Sequence, residues 1–275
     1  MKKNISKIAL YLFMSVFVGA IILPFIWLLL GSVKNMRDLF SVPLKILPTE
    51  LHPENYSDVF NRQPFGMYIL NSLVISVLAT VMIIIIGSMV SYSVARVDIK
   101  GKKLVMVALL SISLLPPITL LNPIYMLLSR MHLLNSWLGL ALAIMATELP
   151  MAVWFLVGFF QSIPFEMEEA SVIDGASMGV MFTKIILPLA APGIFTISIM
   201  TFINAWNNYL FAQVFNPLPR ARTVTVALTL FQIDNYLPWN IVSAASVIVT
   251  FPLIIIIFLL QKRIISGMMD GGVKG

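Results

Sequence analysis

Glu166, Glu168, Glu169 and Asp174 crowd into nine positions of a chain that has only 12 acidic side chains among 275 residues. Apolar residues follow at helical spacing, and Pro188 then opens another long hydrophobic run. Placed at the start of a helix, these carboxylates sit at the positive end of its dipole. Ser162 can cap that helix, with Pro164 in a position where its fixed φ is tolerated. Gly175 can stop it in left-handed backbone. Beyond the glycine, Met178, Met181, Phe182, Ile185 and Ile186 recur at i, i+3, i+4, i+7 and i+8, which makes one apolar stripe. The spacing therefore predicts a short acidic helix, a turn, and a second helix with an apolar ridge. Such an element does recognition rather than bond chemistry. It can lie on lipid headgroups, or it can dock in a groove on another protein. The lipid reading expects Lys and Arg on the polar face, where only Lys184 stands among acids, so the composition favours docking.

Other chemistry finds little footing. His52 and His132 have no H-E-x-x-H pattern and no cysteine partners, so no metal site is predicted. There is no cysteine for a disulfide or a thiolate and no G-x-x-x-x-G-K-[ST] phosphate loop. The chain is thus expected to act as no enzyme and to hold no cofactor of its own. A second set of polar residues lies inside apolar runs, where each is expensive and marks either helix contacts or a pathway. Thr201, Asn204 and Asn208 fall on one helical stripe with Asn207 beside it. Their carboxamides can donate to and accept from sugar hydroxyls, and Trp206 can stack on a sugar ring. The same amides can equally bond across to a neighbouring helix. Glu148, beside Leu149-Pro150, is the one acid predicted deep in hydrocarbon; it is expected to face the bundle interior, where it can be protonated, pair with a partner chain or line a pathway. Ser243, Ala244, Ala245 and Ser246 make a small-residue patch suited to close helix packing.

The elements that carry these residues follow from composition. Hydrophobic residues make up 59% and charged residues 11% of the chain, with a mean hydropathy of +0.96. A soluble domain carries about a quarter charged residues, so lipid must be the solvent for most of this one. Six apolar runs are long enough to span a bilayer: residues 8–30, 69–95, 104–128, 137–160, 189–215 and 241–260. The first follows Lys2, Lys3 and Lys7. Its length and the lack of an A-x-A-like site mark it as an uncleaved span. Prolines 24, 116, 117, 150 and 252 read as kinks whose freed backbone groups neighbours satisfy.

Lys and Arg at the N-terminus, in the 96–103 loop and at the C-terminus place both ends in the cytoplasm. The acidic elbow, 161–188, lies on the same side. Arg220 and Arg222 fall in an external stretch and run against this rule. No basic cluster interleaved with aromatics suggests nucleic acid. No internal inverted repeat, low-complexity linker or soluble domain is apparent, so residues 1–275 are expected to form one all-α membrane domain. A stand-alone channel or secondary transporter would need a complete pathway with coupling-ion ligands. One deep acid and a few amides are better read as half of a paired pathway.

Glu169-Ala170-Ser171, then Gly175, then Ile185-x-Leu187-Pro188 resembles the EAA loop of ATP-binding-cassette importer permeases, with every spacing of that motif matched and Ser171 standing where the second alanine usually is. The segments "NPIYMLLSRMHLLNSWLGL", "WNNYLFA" and "GMMDGGVKG" extend the likeness to the carbohydrate-type, maltose-permease-like branch. There Trp206-Asn207-Asn208 replaces the usual W-N-E. The resemblance implies a type I importer fold of six spans in the cell membrane of a bacterium or archaeon. It implies a coupling role for Glu168, Glu169, Ala170, Ser171, Asp174, Gly175, Ala176, Met178, Phe182, Ile185, Leu187 and Pro188, and a C-terminal tail at Gly271 and Gly272 reaching toward the ATPase. It further implies a second permease subunit that completes a heterodimer, a dimer of ATP-binding subunits that hold ATP and magnesium, and an extracellular solute-binding protein. The implied cargo is a sugar or related polyol, and Glu148, Asn204, Trp206, Asn207 and Asn208, singled out by their place within the apolar runs, are the candidates for its path.

Overall fold

A computed structural model describes residues 2–98, 100–232 and 237–272, and all regular structure among them is helical. In chain order the helices are α1 (Lys2–Ser32), α2 (Met36–Leu39), α3 (Glu54–Arg62), α4 (Phe65–Arg96), α5 (Lys102–Ser113), α6 (Pro117–Arg130), α7 (Trp137–Ser162) and α8 (Glu166–Ile173). Then come α9 (Met178–Met181), a π-turn at Phe182–Ile186, α10 (Leu187–Leu189), α11 (Ala191–Trp206), α12 (Leu210–Phe215), α13 (Val224–Ala227) and α14 (Trp239–Gly272).

Among the described residues, four straight helical stretches are long and apolar enough to cross a bilayer: Leu10–Ser32, Phe65–Arg96, Trp137–Ser162 and Trp239–Leu260. They coincide with four of the predicted runs. The other two are bent pairs, so the count reaches six only if each pair is one span. Residues 104–128, expected as one kinked span, are α5 and α6 meeting at 93° across Leu114–Pro116. Proline at 116 and again at 117 removes two successive N–H donors, and Pro116 opens α6 instead of continuing α5. The run 189–215 is broken twice: by 75° before Ala191, and again between Trp206 and Leu210.

The chain divides into two compact units, Met1–Gly66 with Ala227–Pro252, and Met67–Val226 with Leu253–Gly275. In the first unit Phe65, Phe231, Ile241 and Ala244 are buried, with the rings of Phe65 and Phe231 5.8 Å apart. Polar hubs order the segment between α1 and α4. Buried Asn55 donates to the carbonyls of Ser32 and Lys34, each at 2.9 Å, and accepts from Asn240 at 2.7 Å. Asn35 caps α2 by accepting the Asp38 amide at 2.8 Å. The Asp38 carboxylate accepts from the Thr49 hydroxyl, the Thr49 amide at 3.0 Å and Lys45 at 3.1 Å.

Those donors favour the ionised form and hold the Asp38 carboxyl at about 2, the Thr49 hydroxyl contributing most. Because its value is depressed on folding, Asp38 contributes stability that is complete above the ordinary aspartate value of about 3.9 and is lost as pH falls through about 2. Pepsin digestion of the detergent-solubilised protein will therefore cut the 33–53 segment increasingly between about pH 4 and about pH 2. Asp38→Asn will remove that pH dependence and leave the segment cut throughout the window.

In the second unit α7 is the central helix. Half of its spanning window is buried inside the chain, while Leu138, Trp154 and Phe155 stay exposed. Leu140, Ala141, Ala143 and Ile144 pack with Ile75 and Ala79 of α4, Leu128 of α6, Ala205 of α11, and Phe211 and Phe215 of α12. Farther along, Ala152, Leu156 and Phe160 join Ile83, Met181, Ile186 and Ile197. Buried Asn71 of α4 ties distant loops together: it accepts from the Trp137 indole at 2.8 Å and donates to the Arg222 carbonyl at 2.9 Å. The Arg222 guanidinium donates to the Tyr68 hydroxyl at 3.3 Å and to the Pro217 carbonyl. Arg222 thus ties the 217–222 segment to α4.

Candidate coupling site

The acidic elbow is built from turn chemistry. Ile163, ahead of Pro164, takes extended backbone (φ −77°, ψ 125°), as a residue before proline must, and α7 ends there. Ser162 does not cap the next helix as predicted. It is the last residue of α7 and donates back to Phe159 at 2.8 Å, while α8 begins at Glu166 behind Phe165 with no side-chain cap. Glu166, Glu168 and Glu169 fill the first turn of α8 as expected.

Gly175 adopts φ +75°. Its amide donates to Val172 at 3.0 Å and the Ala176 amide to Ser171 at 3.0 Å, so the reciprocal bonding of a Schellman stop closes the helix. An L side chain in this backbone costs about 1–2 kcal/mol, so glycine is the residue the turn selects. Ser171 is buried and bonds the Glu168 carbonyl at 2.7 Å, which satisfies the hydroxyl that an alanine would lack. The Ile185-x-Leu187-Pro188 string coincides with the π-turn: the Leu187 amide reaches back to Phe182. Pro188 has no N–H and its ring crowds the carbonyl four residues earlier, and the widened turn relieves both.

The apolar stripe does not face outward as predicted. Met181 and Ile186 are buried in the core with Ile83, Leu156 and Phe160, and Phe182, Ile185 and Leu187 pack against them. The Phe182 ring lies 5.1 Å from Tyr92. Only Met178 of that stripe is outward, at 75% exposed. The exposed apolar surface lies instead at the end of α8, on Val172 and Ile173 (84% exposed), with Glu169, Ala170 and Asp174 also in the open. The stripe has the predicted period, but what covers it is the chain's own core.

The structure adds two residues that spacing could not supply. Glu168, 6% exposed, accepts from Arg96 and, at 2.9 Å, from the Tyr92 hydroxyl. Arg96 also donates to the Ile163 carbonyl at 2.9 Å and lies over the Phe165 ring at 5.9 Å. The last turn of α4 therefore grips both the start of α8 and the exit of α7. In the sequence Arg96 is one of several basic residues of the 96–103 loop, with nothing local to mark its partner. The other carboxylates, Glu169 and Asp174, stay outward.

The polar residues of the fifth run are dispersed. Asn204 is exposed and donates to Glu148 Oε2 at 2.9 Å. Thr201 is buried and bonds back to Ile197 and Ser198 in its own helix. Asn208 lies beyond the end of α11, where its side chain accepts the Phe211 amide at 3.2 Å, and Asn207 is exposed. Trp206 is buried and stacks on Phe202 at 6.0 Å, so it offers no ring face to a sugar, contrary to the prediction. Gly271 and Gly272 close the last turn of α14, and residues 273–275 lie outside the described residues.

A helical chain of membrane spans that holds one clamped, outward-facing knuckle between two of them has the architecture of a transport permease. Residues 83–270 match the family described as binding-protein-dependent transport system inner membrane component. The trehalose/maltose transport system permease protein MalG of Thermococcus litoralis is 36% identical with both chains fully covered. The sulfoquinovosyl glycerol transport system permease protein SmoH of Agrobacterium fabrum is 37% identical over 92% of this chain and 88% of its own. The fold matches a chain in the crystal structure of a bacterial ABC transporter involved in alginate import, at 20% identity and a TM-score of 0.80, covering 95% of this chain and 97% of that one. The chain belongs to the binding-protein-dependent ABC importer permeases, as a multi-pass component of the inner membrane.

Proposed function

We propose that this permease forms half of the route for a sugar or related polyol and receives the work of ATP hydrolysis through the knuckle from Glu166 to Pro188. Relatives named for trehalose, maltose and diacetylchitobiose support the cargo class. ATP and magnesium are held by a separate pair of ATP-binding subunits, a second permease chain completes the route, and an extracellular binding protein delivers the solute. Both termini and the knuckle face the cytoplasm, with the C-terminal end at Gly271 and Gly272 directed to the same ATPase.

The observation that carries this reading is the combination of an exposed apolar tip at Ile173 and Met178 with a rear face fixed by Glu168 to Arg96. A tip fixed in this way transmits displacement instead of absorbing it. Gly175→Pro, which cannot take φ +75°, and Glu169→Lys are each expected to abolish uptake while the protein stays in the membrane. Gly175→Ala is expected to lose only part of it. Mutants in which the ATPase still co-purifies and still responds to binding protein would count against the coupling role.

A further inference from the structure

We infer that Glu148 and Asn204, beside the helix break at 207–209, form a solute subsite that accepts uncharged, hydroxyl-bearing molecules and repels anionic ones. This rests on the permease reading above and specifies what the route selects. Two independent features coincide at this place. One is a hydrogen-bonded carboxylate–carboxamide pair, 2.9 Å between Asn204 Nδ2 and Glu148 Oε2, with Glu148 near the middle of α7 and Asn204 exposed. The other is the discontinuity just beyond it: α11 stops at Trp206, where the bent candidate span also ends, and the chain resumes as α12 at Leu210.

The break lies at the end of the span, and the chain itself bonds it: the Thr225 hydroxyl donates to the Asn208 carbonyl at 3.3 Å and the Phe211 amide to the Asn208 side chain at 3.2 Å. An ionisable side chain within a span avoids lipid, and Glu148 lies in one. Asn207 is exposed one turn beyond Asn204 and therefore on the same face. Buried Trp206, stacked on Phe202, makes the wall behind them rigid. No hydrogen bond engages Glu148 Oε1 among the described residues, so it stands ready to accept from a solute hydroxyl, and the Asn204 amide can both donate and accept. The same carboxylate brings like-charge repulsion to an anionic solute, enough to slow its entry by roughly tenfold or more in a partly dehydrated route.

The chain has no cysteine, so a single introduced thiol reports cleanly. Asn207→Cys leaves the Glu148–Asn204 pair intact. The assembled transporter is treated with cationic trimethylammonium and anionic sulfonate methanethiosulfonate reagents, each rate being normalised to that with a small free thiol. The expected result is reaction from the aqueous side, with the cationic reagent favoured by about tenfold and the preference lost when Glu148→Gln is added. No reaction in any nucleotide state would place this face against protein or lipid and overturn the inference. Equal normalised rates with Glu148 intact would overturn it as well. Labelling that shows the charge preference but ignores ATP and vanadate would leave the subsite standing and sink the coupling reading instead.

Discussion

Reversing either end of the Arg96–Glu168 pair is expected to silence uptake, and reversing both to recover part of it. The two side chains are 13% and 8% exposed, and the carboxylate is also held by Tyr92. Arg96→Glu leaves two carboxylates facing one another beside a buried phenol, and Glu168→Arg leaves two guanidinium groups in the same place. Removing one partner of a buried pair costs about 3–5 kcal/mol, because the other charge stays buried and uncompensated. The local consequence is that α8 detaches from α4, since Arg96 also supplies the bond to the Ile163 carbonyl at the exit of α7. The outer tip at Ile173 does not depend on this clamp for its chemistry, so the ATPase should still bind. Stimulation by the solute-loaded binding protein should fall by roughly tenfold or more, because the coupling free energy between distant sites is commonly about 1–3 kcal/mol. The measurement is ATPase activity and uptake in reconstituted vesicles, alongside co-purification. Single reversals that transport at the normal rate would show that the clamp is not part of the transmission. Glu168→Gln, which keeps the shape and the Tyr92 bond, should be milder than either reversal.

How far the sequence led depends on whether a feature was set locally. The Gly175 turn and the Pro188 π-turn were legible because a positive φ and a missing N–H each select a residue type at one position. The long apolar runs were legible because the bilayer sets their length. The break at Pro116-Pro117 was read as a kink: whether proline bends or ends a helix is decided by which neighbours can satisfy the freed carbonyls, and those neighbours are far away in sequence. The stripe from Met178 to Ile186 failed for the same kind of reason. Periodicity states that a face is apolar but not whether its cover belongs to the same chain, and here Ile83, Leu156 and Phe160 supply it. Trp206 suits a sugar platform by type but is buried against Phe202. The Asn71 hub and the Arg96 clamp join residues too far apart in sequence for any spacing rule to connect them. Single side chains with ordinary propensities carry no mark of such partners.

Ile173→Asp is expected to produce the opposite phenotype from the clamp reversals: loss of the ATPase subunit itself. Ile173 is the most exposed large apolar side chain of α8, and Val172 and Met178 extend the patch without any cover from the described residues. An isolated aqueous knuckle has no reason to present these three together, so they are the side chains a groove would take up. A well-seated apolar anchor is worth about 2 kcal/mol or more at an interface, which corresponds to roughly a thirtyfold loss of affinity. The new carboxylate adds to this loss, because it enters beside Glu169 and Asp174 and must be desolvated to dock. The folded chain should be nearly indifferent, since the side chain is 84% exposed. Ile186→Asp, at a fully buried position in the inward half of the same motif, should instead lower the yield of folded protein. Co-purification of the ATP-binding subunit with the Ile173 variant, compared with the Arg96→Glu variant at equal membrane abundance, separates the two roles. If Ile173→Asp retains the ATPase while Arg96→Glu loses it, then docking depends on the clamp, and the exposed tip is not the surface that the partner grips.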